Sequence, residues 1–409
     1  MLTSPPSDPP DLIAGVDTHT DTHTLAVLTA NGGVVLTATF PADQRGYQEL
    51  INTLQEAGSV TVVGVEGTNS YGAGLSRALT TTGYQVKEVL RPTRQVRRMH
   101  GKSDAIDAVE AARTVIAGRG MSEAKDSTTH AESLRFLLTA RAQLISSITA
   151  LGNCMKSLLL TAPETVRAKY RDLTTPKLIK RLAASRPNAK LDSPETAAMH
   201  SLQQLARTCL EARSKADHLE QQMHGLLTAH YPQVLALYGA GTIVAAQLVV
   251  TAGGNPRRIR NEAAFASLCG AAPIPASSGR TNRHRLNRGG DRRGNSALHR
   301  IALIRMQRHQ PTQQYVTRRT REGKSTKEIM RCLKRAIARE AYRALTCEQT
   351  TKNQDEHREL KKLRVAKKIS QSQAAKALNT YPSRISDIEN QRRPLPELTS
   401  RYKQWLEAS

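Results

Sequence analysis

Four carboxylates, Asp17, Glu66, Asp104 and Asp107, have the types and spacing to do chemistry. Hard divalent ions such as Mg²⁺ or Mn²⁺ prefer oxygen ligands and take few protein groups plus water. Two such ions can stabilise the attacking and leaving oxygens of a phosphodiester displacement. Like charges gathered without an ion are costly. Such a centre exists only if the elements around the four side chains bring them together.

The sequence predicts that they do. Residues 12–16 (LIAGV), 25–28 (LAVL) and 34–39 (VVLTAT) are β-type runs separated by polar or glycine-containing turns, a three-strand meander. A helix is expected over 44–57, a buried strand over 60–65, a helix over 71–81, a strand over 85–89 and a helix over 103–116. The order βββαβαβα is that of ribonuclease H-like domains. It places Asp17 at the end of the first strand and Glu66 at the end of the fourth, on one rim of the sheet. Asp104 and Asp107 are three apart, hence on one helix face. Taken singly, Asp17 in GVDTHTD could start a turn, as could Asp21, and Asp104 with Asp107 could be a solvated helix start capped by Ser103. Taken together, at the expected positions of one fold, they read as a metal centre. The run RPTRQVRRMHGK, with Arg94, Arg97, Arg98 and Lys102, suits a strand-end loop that grips phosphate.

Bulk properties agree. The 409 residues exceed one ordinary core and should divide into two to four domains. Lys and Arg outnumber Asp and Glu by 60 to 35, a net charge of +25 that favours a polyanionic partner. No apolar run is expected to reach a spanning helix, and MLTSPPSDPP lacks the basic head and apolar stretch of a signal peptide. The expectation is a disordered leader on a cytoplasmic, nucleoid-associated protein with no membrane partner. Five scattered cysteines, Cys154, Cys209, Cys269, Cys332 and Cys347, indicate neither a zinc site nor a disulfide framework.

Two long helices follow. Leu134, Leu137, Leu144, Ile148, Leu151, Met155 and Leu158 keep a 3,4 alternation, with Arg141 in the one polar seam position. Leu202, Leu205, Cys209, Ala212, Ala216, Leu219, Met223 and Leu226 keep heptad register. The pair can associate antiparallel or across a dimer, as a plain bundle or an oligomerisation arm. Pro163, Pro176, Pro187 and Pro194 make the stretch between them a connection with short helices.

A second candidate centre lies downstream. In LYGAGTIVAAQLVVTA, Gly239 and Gly241 break one helix before another begins, which resembles a helix-hairpin-helix turn offering backbone N–H groups to phosphate. Then comes CGAAPIPASSGRTNRHRLNRGGDRRGNSALHR, where Ser277 and Ser278 precede Arg280, Arg283, Arg285, Arg288, Arg292 and Arg293. A serine there could be a nucleophile in a cationic surrounding, or the Ser-Ser-Gly could be a turn beside arginines that only hold backbone phosphate.

Over roughly residues 12–310 the chain resembles the insertion-sequence-110 family of transposases, the bridge-RNA-guided DNA recombinases. GVDTHTD, VVGVEGTNSYG, RRMHGKSDAIDA, LYGAGTIVAAQL and the CGAAPIPASSG block carry the resemblance, the last most specifically. It implies an Asp-Glu-Asp-Asp metal site in a RuvC-like domain, landing on Asp17, Glu66, Asp104 and Asp107, and a serine in a C-terminal transposase domain. That serine lands on Ser278, with Ser277 as the register alternative. The resemblance further implies a phosphoserine linkage to DNA, homo-oligomers whose centres combine protomers, and a noncoding bridge RNA that pairs with donor and target DNA.

The C-terminus departs from that family. Residues 357–409 look like a phage-repressor-type helix-turn-helix with a core of Ala374, Ala375, Leu378, Ile385 and Ile388, presenting Ser383, Arg384 and Ser386 to a major groove. The expected organisation is a leader over 1–10, a RuvC-like α/β domain over 11–125, a helical coiled-coil region over 126–230, a mainly helical transposase domain over 231–345 and the helix-turn-helix over 355–409. Two other readings are a structure-selective junction endonuclease, which needs the carboxylates but not Ser278, and a DNA-binding regulator with a vestigial centre.

Overall fold

A computed structural model describes residues 12–89, 103–188, 190–275, 284–285, 287, 289–347, 360–367, 369–389 and 396–408. The chain divides into two units, Met1–Thr346 and Cys347–Ser409.

The first unit opens with a mixed sheet. Strands β1 (Leu12–Thr18), β2 (Thr22–Thr29) and β3 (Val34–Pro41) form the expected meander, followed by α1 (Gln44–Ala57), β4 (Val60–Glu66), α2 (Ala73–Thr81), β5 (Gln85–Val89), α3 (Asp104–Ala117) and β6 (Met121–Glu123). The strand order is β3-β2-β1-β4-β5-β6, with β4 parallel to β1, β5 parallel to β4, and β6 antiparallel on the edge. Strand period two sorts the residues of β1 between two cores. Leu12, Ala14 and Val16 join Leu25, Val27 and the α1 and α2 leucines Leu50, Leu54, Leu75 and Leu79. Ile13 instead packs with Ala26, Leu28, Ala108 and Ala112, so α3 covers the opposite face, the face to which Gly15 and Asp17 belong.

The sheet leads into an arm. Helix α4 (His130–Thr161) runs out, α5 (Glu164–Tyr170) and α6 (Thr175–Ala183) turn at the tip, and α7 (Pro194–His230) returns. Pro176 and Pro194 each stand in the first turn of a helix, where a missing N–H costs nothing. The arm is antiparallel within one chain. His130 stacks on His230 at 3.6 Å, Arg141 pairs with Glu220 at 2.7 Å, and the Cys209 thiol meets the Ile148 carbonyl at 3.8 Å. The expected seam needs correction at its ends, since Leu158 is 40% exposed while Leu138, Leu159, Ala206 and Leu227 are buried. A helix of 3.6 residues per turn drifts from a 3.5 repeat, so the buried stripe moves by a residue over these lengths. A further correction concerns apolarity. An 18-residue window of α4 reaches mean hydropathy 1.3, so by length and composition this helix could cross a membrane, as the core helices of many proteins could. Here it pairs with α7 from end to end.

The arm returns into a helical core. Helices α8 (Pro232–Leu235), α9 (Thr242–Ala252), α10 (Glu262–Leu268), α11 (Arg292–Arg308), α12 (Gln310–Arg321) and α13 (Thr326–Thr346) surround Leu248, Val249, Phe265, Leu298, Ile301 and Ile337. Asn255 ties this core to the strand-to-arm connection, donating to the Ala124 carbonyl at 3.0 Å and accepting from the Asp126 N–H at 2.9 Å.

In the second unit, residues 360–366, α14 (Gln371–Ala377), α15 (Pro382–Glu389) and α16 (Pro396–Ala408) share one core. All five expected core residues are buried, and Leu360, Tyr402 and Leu406 complete it. Glu389 sits inside this unit, bidentate with Arg364 at 2.6 and 3.1 Å and accepting from Tyr402 and Gln371, each at 2.8 Å.

Candidate metal centre and nucleic-acid interface

The carboxylate rim is built by close approach. A Cβ on Gly15 would stand 2.2 Å from the Ala112 nitrogen and 2.3 Å from the Ala108 carbonyl, so α3 lies directly on the backbone of β1. Only glycine below and alanine above permit that spacing, and it brings the first turn of α3 to the sheet rim. Parallel pairing of Val16 with Val65 sets Asp17 beside Glu66, two residues beyond Gly15 and Gly64 on the same face. The Thr18 hydroxyl donates to the Glu66 carbonyl at 2.7 Å and ties the two strand ends. The chain then leaves β4 through Gly67 at φ +69°, a left-handed turn that a side chain would strain.

Burial separates the four acids. Asp17 and Glu66 are 4% exposed and Asp107 8%, whereas the Asp104 side chain is 49% exposed. Ser103 does cap α3, accepting from the Ile106 N–H at 3.3 Å. A solvated helix start therefore describes Asp104 but not Asp107, because a buried carboxylate costs several kcal/mol unless something compensates its charge. Burial pushes the Asp17 carboxyl above its usual range; nearby His19 opposes this, and Glu66, Asp107 and Asp104 add to it.

His19 was not singled out from the sequence. Its Nε2 lies 3.1 Å from Asp17 Oδ2 and 3.3 Å from Asp104 Oδ1, and one donor atom from each of Asp17, His19 and Asp104 falls within 4.8 Å of the others. The signal was the Asp-x-His spacing in GVDTHTD, in which His19 stands two residues after Asp17, just beyond the end of β1. Among the described residues the buried Asp17 Oδ2 has no hydrogen-bond partner, although His19 Nε2 stands 3.1 Å away as an ion-pair contact. A buried carboxylate oxygen without a hydrogen bond among the described residues, facing further carboxylates and an imidazole, fits a divalent cation: the donors are hard oxygens plus one nitrogen, and the ion would cancel their repulsion.

Downstream, β7 (Ile274–Pro275) pairs antiparallel with β8 (His284–Arg285). The base of this ribbon is fixed. Asn295 donates to the Cys269 and Gly270 carbonyls at 2.7 and 3.2 Å and accepts from buried Lys334 at 2.9 Å; Asp291 accepts from Thr251 at 2.7 Å while capping α11. Arg285, Arg292 and Arg293 are exposed here, as Ser383 and Arg384 are on α15. Ser277, Ser278, Arg94, Arg97, Arg98, Lys102, Arg280, Arg283 and Arg288 lie outside the described residues. The glycine turn before α9 is present, with Gly239 at φ +87° and Gly241 capping the helix.

The acidic rim and the helical core with its exposed arginines each fall within a match to a family of DNA-cutting enzymes. Residues 14–162 match the family model of the DEDD transposases of the IS110 type, and residues 232–317 match that of the transposase IS116/IS110/IS902 family. With these two regions covering more than half of its length, the chain belongs to the IS110 family of transposases. Residues 360–398 match a helix-turn-helix model, a DNA-binding module. No curated protein matches the chain.

Proposed function

We propose that this transposase cuts and exchanges DNA strands with a composite centre: a metal-bound acidic site in a ribonuclease H-like, RuvC-like domain and a serine nucleophile in the C-terminal transposase domain. The observation that carries this reading is Asp17, buried among Glu66, Asp107, Asp104 and His19 and without a hydrogen bond on Oδ2 among the described residues. The strand order β3-β2-β1-β4-β5 with α3 over the acidic face supports the domain reading.

Asp17, Glu66, Asp104 and Asp107 would hold Mg²⁺ or Mn²⁺, with His19 positioned to orient Asp17 and Asp104. Bound there, the ion would supply charge for the attacking and leaving oxygens of a phosphodiester. Ser278 is the proposed nucleophile, with Ser277 as the alternative register. Its Oγ attacks phosphorus, the bond from phosphorus to the departing sugar oxygen breaks, and the hydroxyl proton ends on that oxygen. The strand is then held as a phosphoserine ester until a sugar hydroxyl reverses the step. Arg280, Arg283, Arg285, Arg288, Arg292 and Arg293, with Arg94, Arg97, Arg98 and Lys102, would hold backbone phosphate. Ser383 and Arg384 would read DNA from α15.

Family membership supports two further parts of the reading: a noncoding bridge RNA that pairs with donor and target DNA, and a homo-oligomer whose arms and centres combine protomers. The five domains over 1–10, 11–125, 126–230, 231–345 and 355–409, a coiled-coil arm and a cytoplasmic, nucleoid-associated setting complete it.

The test is a recombination assay with donor and target DNA, the element's flanking RNA and Mg²⁺, trapping protein–DNA adducts. A covalent adduct is expected with wild type and none with Ser278→Ala. Cleavage without adduct that still needs Asp17 and Asp104 would overturn the serine step and leave a carboxylate-only nuclease. Unchanged recombination without the RNA would remove guidance.

A further inference from the structure

We infer that the tip of the helical arm is a clamp for duplex DNA, remote from the acidic centre. The proposal rests on the DNA-transposase reading and adds a contact surface that this reading does not require.

The cations of the arm are arranged unevenly. Along the shaft they are neutralised: Arg135 pairs with Glu132, Arg141 with Glu220 and Lys215 with Glu211, at 2.6–2.7 Å. At the tip they are not. From Glu164 to Glu195 the sequence holds eight Lys or Arg residues against four carboxylates, Glu164, Asp172, Asp192 and Glu195. Glu164 and Asp172 lie against one arginine, Arg171, at 3.1 and 4.0 Å. The other seven cations have no carboxylate within ion-pair distance among the described residues, and Lys177, Lys180, Arg181 and Arg186 are exposed.

Two more cations line a cavity beside α6. A cavity of about 380 Å³ opens between α4, α6 and α7, and Lys156 and Arg213 line it from opposite helices beside Thr175 of α6. None of its lining residues is acidic. A merely solvated surface would intersperse both signs, as the shaft does. Cations that outnumber the nearby carboxylates and, Arg171 apart, pair with none among the described residues instead match the regular negative charge of a nucleic-acid backbone, whose binding releases condensed counterions.

Duplex DNA is the partner this geometry favours, because the tip is far from the arm's base. His130 to Lys156 is 26 helical steps, about 40 Å, or roughly 12 base pairs of B-DNA. A rigid duplex held in the core can span that distance in one piece. The clamp would add affinity without sequence preference and would favour long DNA over short.

The experiment measures binding by the full chain to duplexes of about 12 and about 40 base pairs across a salt series. The variant combines Lys156→Gln, Lys177→Gln, Lys180→Gln and Arg213→Gln. We expect it to bind the long duplex about tenfold or more weakly, with a salt slope shallower by about two or more, and to bind the short one like wild type. A companion variant with Lys156→Arg, Lys177→Arg and Lys180→Arg should bind like wild type, which separates loss of charge from loss of fold. Unchanged binding of the long duplex, or equal weakening on both lengths, would overturn the clamp. So would a loss confined to a structured RNA, which would make the tip an RNA surface. Wild-type strand cleavage is assayed alongside: cleavage with an indifferent tip removes the clamp alone, whereas no DNA binding or cleavage by wild type removes the transposase reading beneath it.

Discussion

Two buried carboxylates in this molecule meet opposite fates. Burial alone would raise Glu389, but hydrogen bonds from Arg364, Gln371 and Tyr402 outweigh it and hold the carboxyl below its usual range. Asp17 is buried too, yet like charges surround it and its carboxyl stands above that range. One charge is saturated by its own fold and the other is left wanting. A fold that satisfies a buried acid uses it as structure; one that leaves it crowded and short of a partner keeps it for something that arrives later. On the proposed reading, the sign of the shift, more than the burial, distinguishes the two acids.

The largest effect expected from this contrast is on catalysis. Asp17→Asn or Asp107→Asn should lower strand cleavage by about a thousandfold or more, roughly 4 kcal/mol of transition-state stabilisation, with the fold intact by circular dichroism. Cleavage within tenfold of wild type would place the chemistry elsewhere. Glu389→Gln should leave that assay's chemistry alone and unfold the second unit, costing it about 3–5 kcal/mol because Arg364 would be left buried and unpaired. Limited proteolysis would read this as cleavage confined to residues after Thr346; a single cooperative loss of both units would contradict it.

A subtler break tests how the acids are gathered. Gly15→Ala places a methyl 2.2 Å from the backbone of α3, so the helix must lift and carry Asp107 with it. Cleavage should fall by about a hundredfold, in line with a displacement near 1 Å.

The two acids should also give stability opposite pH slopes. Asp17 has a folded pKa above its unfolded value, so its favourable contribution is present at low pH and is lost as pH rises through the raised value. Glu389 has a folded pKa below its unfolded value, so its contribution is present above the usual carboxylate range and is lost as pH falls through the depressed one. Metal-free Asp17→Asn should therefore melt about 2–4 °C higher than wild type at neutral pH, an increment of about 1 kcal/mol. A lower melting temperature would mean that Asp17 is already satisfied. The smallest effect concerns the thiols. Burial pushes Cys269 up to about 12 and also raises Cys209, so a maleimide should label Cys154, Cys332 and Cys347 in the folded chain and all five on denaturation.

Much of this was legible before any coordinates. Alternation and turn residues sufficed for β1 to β5 and for the acidic rim, because strand period and parallel pairing leave Asp17 and Glu66 one place to go. Ser103 announced the start of α3. Other parts depend on partners distant in the sequence. His19 has meaning only beside Asp104, 85 residues on. The edge strand β6 is the tripeptide Met-Ser-Glu, which has no pattern of its own and pairs because β5 offers an open edge. The last helix was readable from Tyr402, Trp405 and Leu406 at helical spacing but was not assigned, and with it went the Tyr402 hydroxyl that helps hold Glu389. The arm's direction was open, since heptads specify a seam and not a partner; in the folded chain Arg141 reaches Glu220 and the two helices lie antiparallel.

The most direct test of the central claim is the melting temperature of the metal-free protein titrated with Mg²⁺ or Mn²⁺, wild type against Asp17→Asn. The account predicts that wild type starts lower and is stabilised by about 3 kcal/mol as the ion reaches a hundred times its dissociation constant, while Asp17→Asn starts higher and barely responds. Equal stabilisation of the two proteins, or none of either, would contradict a metal centre at the acidic rim.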